Sequence, residues 1–451
     1  MASYHGVVLP EGLEAEDVSR YSRQMLVHDI GGAGQARIAK ARVLVVGAGG
    51  LGCAVIPSLA GAGIGTLGIL DPDTVDSSNL HRQTMHRDED AELLTNKAES
   101  AARFVRALNP RVSLEVQNGA LEADTALALV RRYDLVVDCS DNPRTRYLVS
   151  DACVLAATPL VSGSAIGLEG QLSVYNYAPP ITGDANEGDA KGGDSPRRGP
   201  CYRCAYPNPS AGGGGAASCA ESGVVGPVPA VIGHLQALEA LKIVAGFGEV
   251  LSGKLLMYDA RSCSFHKFKL PARRPTCLAC GDSPTVTSMR ASAAFCQAHA
   301  LRGVDSAPCR AGGVPCEKTL APPPETAPET GSAPALPAIE GGPQLAPSVS
   351  ASEYSKVRES GVAHLLLDVR DKTQFGMCAL TGALNVPLKE LRGRLGDFSD
   401  ERAPPIYVLC RRGVYSSQAT QLLAESGRAV FNIRGGLRSW KAEVDSAFPV
   451  Y

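Results

Sequence analysis

From Val43 to Leu70 the chain carries no charged residue, and few folds can accommodate such a run. It is long enough to span a bilayer. It also holds eight glycines and Pro57, opens on Val43-Leu44-Val45-Val46 and ends in Ile69-Leu70-Asp71. That pattern predicts strand, tight turn, buried helix and second strand, and no membrane association. The turn is Gly47-Ala48-Gly49-Gly50-Leu51-Gly52. Glycine lets backbone approach a phosphate, and a helix opening there offers free N–H groups at its positive end. Asp71 ends the second strand, where a carboxylate can hold a ribose hydroxyl. Alone, this reads as a nucleotide loop with NAD as the common ligand, or as a glycine-rich turn with none.

The residues that follow favour ATP. Ser78-Asn79-Leu80-His81-Arg82-Gln83 supplies a cation and amides, Lys97 follows on a predicted helix, and Asp141-Asn142 follows the strand Leu135–Val137. Two cations for a triphosphate and a carboxylate for Mg²⁺ suit phosphoryl chemistry and are not needed for hydride transfer.

Strands at Arg42–Val46, Thr66–Leu70, Val112–Val116, Asp134–Val137 and Leu172–Tyr175, with helices at Asn96–Leu108 and His234–Val244, predict an α/β fold with a largely parallel, doubly wound Rossmann-like sheet over residues 14–281. Residues 282–347 are expected to be a linker, because Ala321–Pro347 holds eight prolines. Residues 348–451 carry a second, small α/β pattern: strands His364–Val369, Ile406–Leu409 and Ala429–Ile433, helices Lys389–Leu395, Ser417–Glu425 and Leu437–Val444. The 451 residues carry a formal net charge of −2, so no direct nucleic-acid partner is expected. No secretory signal is evident at the N-terminus, and the cytosol is the expected compartment.

Fourteen cysteines fall partly into pairs. Cys201-Tyr202-Arg203-Cys204 and Cys277-Leu278-Ala279-Cys280 together predict a four-thiolate tetrahedral site for one structural Zn²⁺. Cys219 follows a run of four glycines, where a thiol could move to a reacting centre; a buried structural role is the other reading. Cys410 begins Cys410-Arg411-Arg412-Gly413-Val414-Tyr415-Ser416-Ser417 at a strand end, where loop N–H groups and two arginines stabilise negative sulfur. Cys296, Cys309 and Cys316, and the Gly-, Asp- and Pro-rich insertion Pro179–Pro200, suggest no role.

The glycine loop, Asp71, Ser78–Gln83, Lys97, Asp141-Asn142 and Arg20-Tyr21-Ser22-Arg23-Gln24 resemble the MoeB/ThiF branch of ubiquitin-activating-enzyme-like adenylating enzymes. The resemblance implies that Asn79, Arg82 and Lys97 contact ATP phosphates, that Asp71 takes the ribose and that Asp141 binds Mg²⁺. It further implies that Arg23 reaches a second subunit's phosphates in a homodimer (a helix salt bridge being the plainer reading), and that Cys219 bonds covalently to substrate. The Cys410 loop, with Leu367-Asp368-Val369-Arg370, Gly382–Pro387 and Gly435–Trp440, resembles rhodaneses. Tyr415 stands where many rhodanese loops carry a cation, which favours a protein sulfur donor over thiosulfate.

The domain order resembles the eukaryotic fused adenylyltransferase–sulfurtransferases of molybdenum cofactor synthesis and tRNA thiolation. It implies ubiquitin-like sulfur carrier proteins ending in Gly-Gly as substrates and a cysteine-desulfurase-type persulfide donor. A MoeB-like activator of one carrier, a rhodanese-fused dinucleotide-dependent disulfide reductase and a non-catalytic scaffold are the rival readings.

Overall fold

The computed structural model describes residues 7–179, 198–207, 223–298, 347–400, 402–424 and 428–449. Cys219, Cys309, Cys316 and most of the Pro179–Pro200 insertion lie outside them. In chain order the strands are β1 (Val7–Val8), β2 (Arg42–Val46), β3 (Thr66–Leu70), β4 (Ser113–Gln117), β5 (Leu135–Asp138), β6 (Leu160–Ile166), β7 (Glu169–Tyr175), β8 (Lys254–Asp259) and β9 (Ser264–Lys269). Strands β10 (Ser348–Val349), β11 (Leu365–Asp368), β12 (Ala379–Leu380), β13 (Ala383–Asn385), β14 (Ile406–Leu409) and β15 (Val430–Ile433) follow.

The charge-free run folds as β2, the glycine turn, the helix Gly52–Ala62 and β3. Val43, Leu44, Val45, Leu67 and Ile69 are fully buried, which explains why the run needs no charge. The large sheet has the order β4-β3-β2-β5-β6-β7-β8-β9. Pairs from β4 to β6 are parallel and those from β6 to β9 antiparallel. The sheet is therefore less parallel than expected. Only Gly167 and Leu168 separate β6 from β7, and a connection that short returns the chain antiparallel.

The helix Pro227–Ala245 begins earlier than His234, because Pro227 and Pro229 occupy its first turn, where a missing N–H costs little. It is long and apolar enough to cross a membrane. Instead it lies flat on the sheet and on the helix Gly52–Ala62. Side chains Gln236 and Ile232 fill the places where a Cβ on Gly163 or Gly170 would stand, 2.5 and 2.3 Å away.

The stretch expected to open the linker instead begins with structure. The helix Met289–Ala298 buries Met289, Ser292 and Cys296 against the helices Ala123–Val130 and Pro143–Ala156. Its Ala- and Ser-rich sequence offered no charge pattern to set it apart from a loop.

The second domain is a parallel five-stranded sheet, β10-β15-β14-β11-β13, around Leu367, Val369, Ile406, Val408 and Leu423. It is joined to the N-terminal segment of the chain. β1 pairs antiparallel with β12, Val7 opposite Leu380 and Val8 opposite Ala379. Leu13, Val18, Tyr21 and Met25 continue into an apolar cluster with Met377, Leu380 and Phe448.

Candidate active sites

Register brings the first site together. Val46 lies beside Leu70 on one side and Asp138 on the other, so the loops after β2, β3 and β5 converge at one sheet edge. Gly47 sits at φ +101°, and a Cβ there would stand 2.7 Å from the Cys139 carbonyl oxygen. The N–H groups of Gly49 and Gly50 donate to no acceptor among the described residues, which leaves them for a bound anion.

Asp71 is 5% exposed. Its Oδ2 accepts the Ala48 N–H at 2.6 Å and its Oδ1 the Asp73 N–H at 2.8 Å. Burial pushes its carboxyl up to about 6, against the opposing pull of Lys97 and those two N–H groups. Lys97 is nearly buried, with Nζ 2.8 Å from Asp73 Oδ2. Asp73, overlooked in the sequence, thus holds the ammonium at the end of β3. Arg82 donates to Asn79 Oδ1, while Asp76 caps the turn through the Ser78 N–H (2.8 Å) and hydroxyl (2.6 Å). His81 Nδ1 lies 3.0 Å from the Ser78 carbonyl oxygen.

Asp141 is exposed at the same edge, whereas Asn142 caps the helix Pro143–Ala156 by accepting the Thr145 N–H at 2.9 Å. Gln83 is buried, faces Gly49 and leaves its Oε1 without a partner among the described residues. Arg23 is exposed on the helix Ala15–Met25 and forms no ion pair among the described residues, so its helix salt-bridge reading has no support.

The four paired cysteines converge. All four Sγ atoms lie within 4.8 Å of one another, with Cys201–Cys204 at 3.8, Cys201–Cys277 at 3.5 and Cys204–Cys280 at 3.4 Å. A tetrahedral zinc with sulfur at about 2.3 Å requires S···S separations of roughly 3.8 Å. The cluster fits that ion and leaves no open position, as a structural site requires. Behind it Arg203 and Asp151 form a buried two-bond ion pair at 2.8 and 2.7 Å. The helix Met289–Ala298 completes this support: Ser292 donates to Asp151 at 2.5 Å and the Phe295 ring stacks on the Arg203 guanidinium.

The second site is the turn after β14. The Cys410 side chain is buried, its Sγ accepts the Gly413 N–H at 3.1 Å and lies 3.2 Å from Ser416 Oγ. Gly413 has φ +85°, and a Cβ on it would stand 2.5 Å from the Gly435 nitrogen. The Leu437 N–H donates to the Cys410 carbonyl at 2.9 Å, so the closing motif holds the loop from below. Arg370 and Asp368 form a buried pair at the end of β11, and Arg370 also donates to the Cys378 carbonyl at 2.8 Å. Tyr415 stands exposed on the rim.

These two sites match two known families. Residues 21–279 match the ThiF family and residues 350–443 the rhodanese-like domain. The chain belongs to the ThiF family, with a rhodanese-like domain fused behind it. Adenylyltransferase and sulfurtransferase MOCS3 of Bos taurus is 41% identical, over 97% of this chain and 89% of that protein. The Anopheles gambiae protein of the same name is 38% identical over 97% and 90%. Among solved structures, E. coli MccB with ATP superposes on 58% of this chain and 74% of its own, at 24% identity and a TM-score of 0.48. Within the ThiF-family domain the glycine loop follows β2, and the cysteine cluster joins Cys201 and Cys204 in the middle of the domain to Cys277 and Cys280 at its end.

Proposed function

We propose that this chain is a bifunctional adenylyltransferase and sulfurtransferase acting on ubiquitin-like sulfur carriers that end in Gly-Gly. The observation that carries the reading is that a glycine turn with two free N–H groups and a buried cysteine whose sulfur accepts a loop N–H occur in one chain. Relatives named for both activities, alike along nearly the whole chain, support it.

The carrier carboxylate attacks the α-phosphorus of ATP, and the bond to pyrophosphate breaks. Free N–H groups of Gly49 and Gly50, with Arg82, Lys97 and Asn79, hold the phosphates; Asp71 orients the ribose and Asp141 holds Mg²⁺. Arg23 completes the site of a second subunit in a homodimer. The terminal sulfur of a persulfide on Cys410 then displaces AMP from the acyl carbon. A thiol, for which Cys219 is the candidate, cleaves the resulting S–S bond. That step releases the thiocarboxylate and leaves a disulfide for an external thiol to reduce. Adenylation makes an inert carboxylate reactive, and tethering raises the effective persulfide concentration to the mM range for a suitable linker. The persulfide comes from a cysteine-desulfurase-type donor in the cytosol, and the products serve molybdopterin synthesis and tRNA wobble-uridine 2-thiolation.

Pyrophosphate release dependent on a Gly-Gly carrier tests the first half. An enzyme that releases none with any such carrier is not an adenylyltransferase of this class.

A further inference from the structure

Behind the glycine loop lies a buried polar chain with no part in the scheme above. His86 Nε2 is 2.9 Å from the Ala48 carbonyl oxygen, and its Nδ1 is 2.8 Å from Ser100 Oγ. Ser100 Oγ is in turn 2.7 Å from Asp90 Oδ2. His86, Ser100 and Asp90 are 5%, 3% and 3% exposed, so water does not complete their bonding.

The chain is one proton short when His86 is neutral. A carbonyl only accepts, so Nε2 must donate to Ala48. Asp90 is ionised: burial opposes this, but the bonds from Ser100 and the Arg87 N–H, with Arg103 2.9 Å away, hold its carboxyl below the usual range. Ser100 therefore spends its one proton on Asp90. Nδ1 then faces a hydroxyl lone pair unless it too carries a proton. Neutral His86 leaves the chain one proton short; the imidazolium completes every bond.

In the protein without nucleotide, burial pushes the His86 imidazole down, and Lys97 acts in the same direction; the Ala48 bond and Asp90 oppose. The other ionisable groups around Ala48 are Asp71, bonded to its N–H, and Cys53, whose Sγ is 3.6 Å from its carbonyl oxygen. Burial pushes the Cys53 thiol up to about 12, so it stays neutral. A polyphosphate on the Gly49 and Gly50 N–H groups adds negative charge beside Ala48 and engages Lys97. Both changes favour the imidazolium.

We propose that His86 is a positioning residue for the nucleotide loop, and that it takes up a proton when a nucleoside triphosphate settles there, closing the chain from Ala48 to Asp90. This rests on Gly47–Gly52 being a nucleotide loop.

The test is calorimetry of Mg²⁺–AMPCPP binding to the full chain near neutral pH, in two buffers of different ionisation enthalpy. The wild type is expected to take up about one proton more than His86→Gln, whose affinity falls roughly five-fold. Ser100→Ala keeps the His86–Ala48 bond and breaks the chain, and is expected to lose the uptake with a smaller loss of affinity. It carries the comparison if His86→Gln does not fold. Equal uptake in the wild type and both variants overturns the proposal and places the linked proton elsewhere, Asp71 being the next group. Lower affinity with unchanged uptake reduces His86 to packing and overturns it as well. Absence of binding to the wild type overturns the nucleotide-loop reading itself, a result distinct from the other two.

Discussion

Asp71 Oδ2 accepts the Ala48 N–H at 2.6 Å, so the carboxylate that ends β3 also sets the loop that leaves β2. Its raised carboxyl has a consequence for stability. A buried carboxyl that titrates near 6 instead of 3.8 contributes no penalty below about pH 4; the penalty grows as pH rises and is complete above about 6. A shift of that size corresponds to about 3 kcal/mol. Asp71→Asn is therefore expected to gain in Tm relative to the wild type between pH 4 and pH 8, while carrier-dependent pyrophosphate release collapses. Thermal melts at the two pH values check it; a Tm difference that does not change with pH contradicts it.

The two chemistries are expected to separate cleanly. Cys410→Ala keeps pyrophosphate release and takes up no persulfide sulfur; Asp141→Ala loses pyrophosphate release, and with it sulfur transfer to the carrier, but still takes up persulfide sulfur on Cys410, as assays of pyrophosphate and of Cys410 persulfide in each variant will read.

Gly413→Ala offers a sharper test of the second loop. The new methyl would overlap the Gly435 nitrogen in a left-handed backbone conformation, displacing the N–H that meets Cys410 Sγ. Sulfur transfer is expected to fall more than ten-fold, about 1.4 kcal/mol or more in the barrier, with adenylation unchanged.

Metal analysis is expected to find one zinc per chain, lost in Cys277→Ser. Chelation is expected to lower the Tm of the full chain. Arg203→Ala, which strands the buried Asp151 behind the cluster, is expected to cost about 3–5 kcal/mol in denaturant unfolding.

How much of this was legible in the sequence depended on whether the signal was local. The β2–loop–β3 unit was, because apolar strands and a glycine turn adjoin one another; β2 and β3 were bounded to the residue. The zinc pairs and the Cys410 loop were legible for the same reason. The antiparallel half of the sheet was not, since a strand pattern carries no direction. The helix Met289–Ala298 is specified by what it packs on, the helices Ala123–Val130 and Pro143–Ala156 and the Arg203–Asp151 pair. His86 was hidden differently: followed by Arg87 and Asp88 it reads as surface, and only the fold brings it beneath Ala48. Asn142 shows the converse, a residue singled out for a ligand that the structure also uses as a helix cap.

The most direct test of the central claim is the intact mass of a Gly-Gly-ending sulfur carrier after incubation with the full chain, Mg²⁺–ATP and a persulfide donor. The expected result is replacement of one carboxylate oxygen by sulfur, absent without ATP and absent in Cys410→Ala. A carrier that stays unchanged while pyrophosphate is released contradicts the coupling of the two domains.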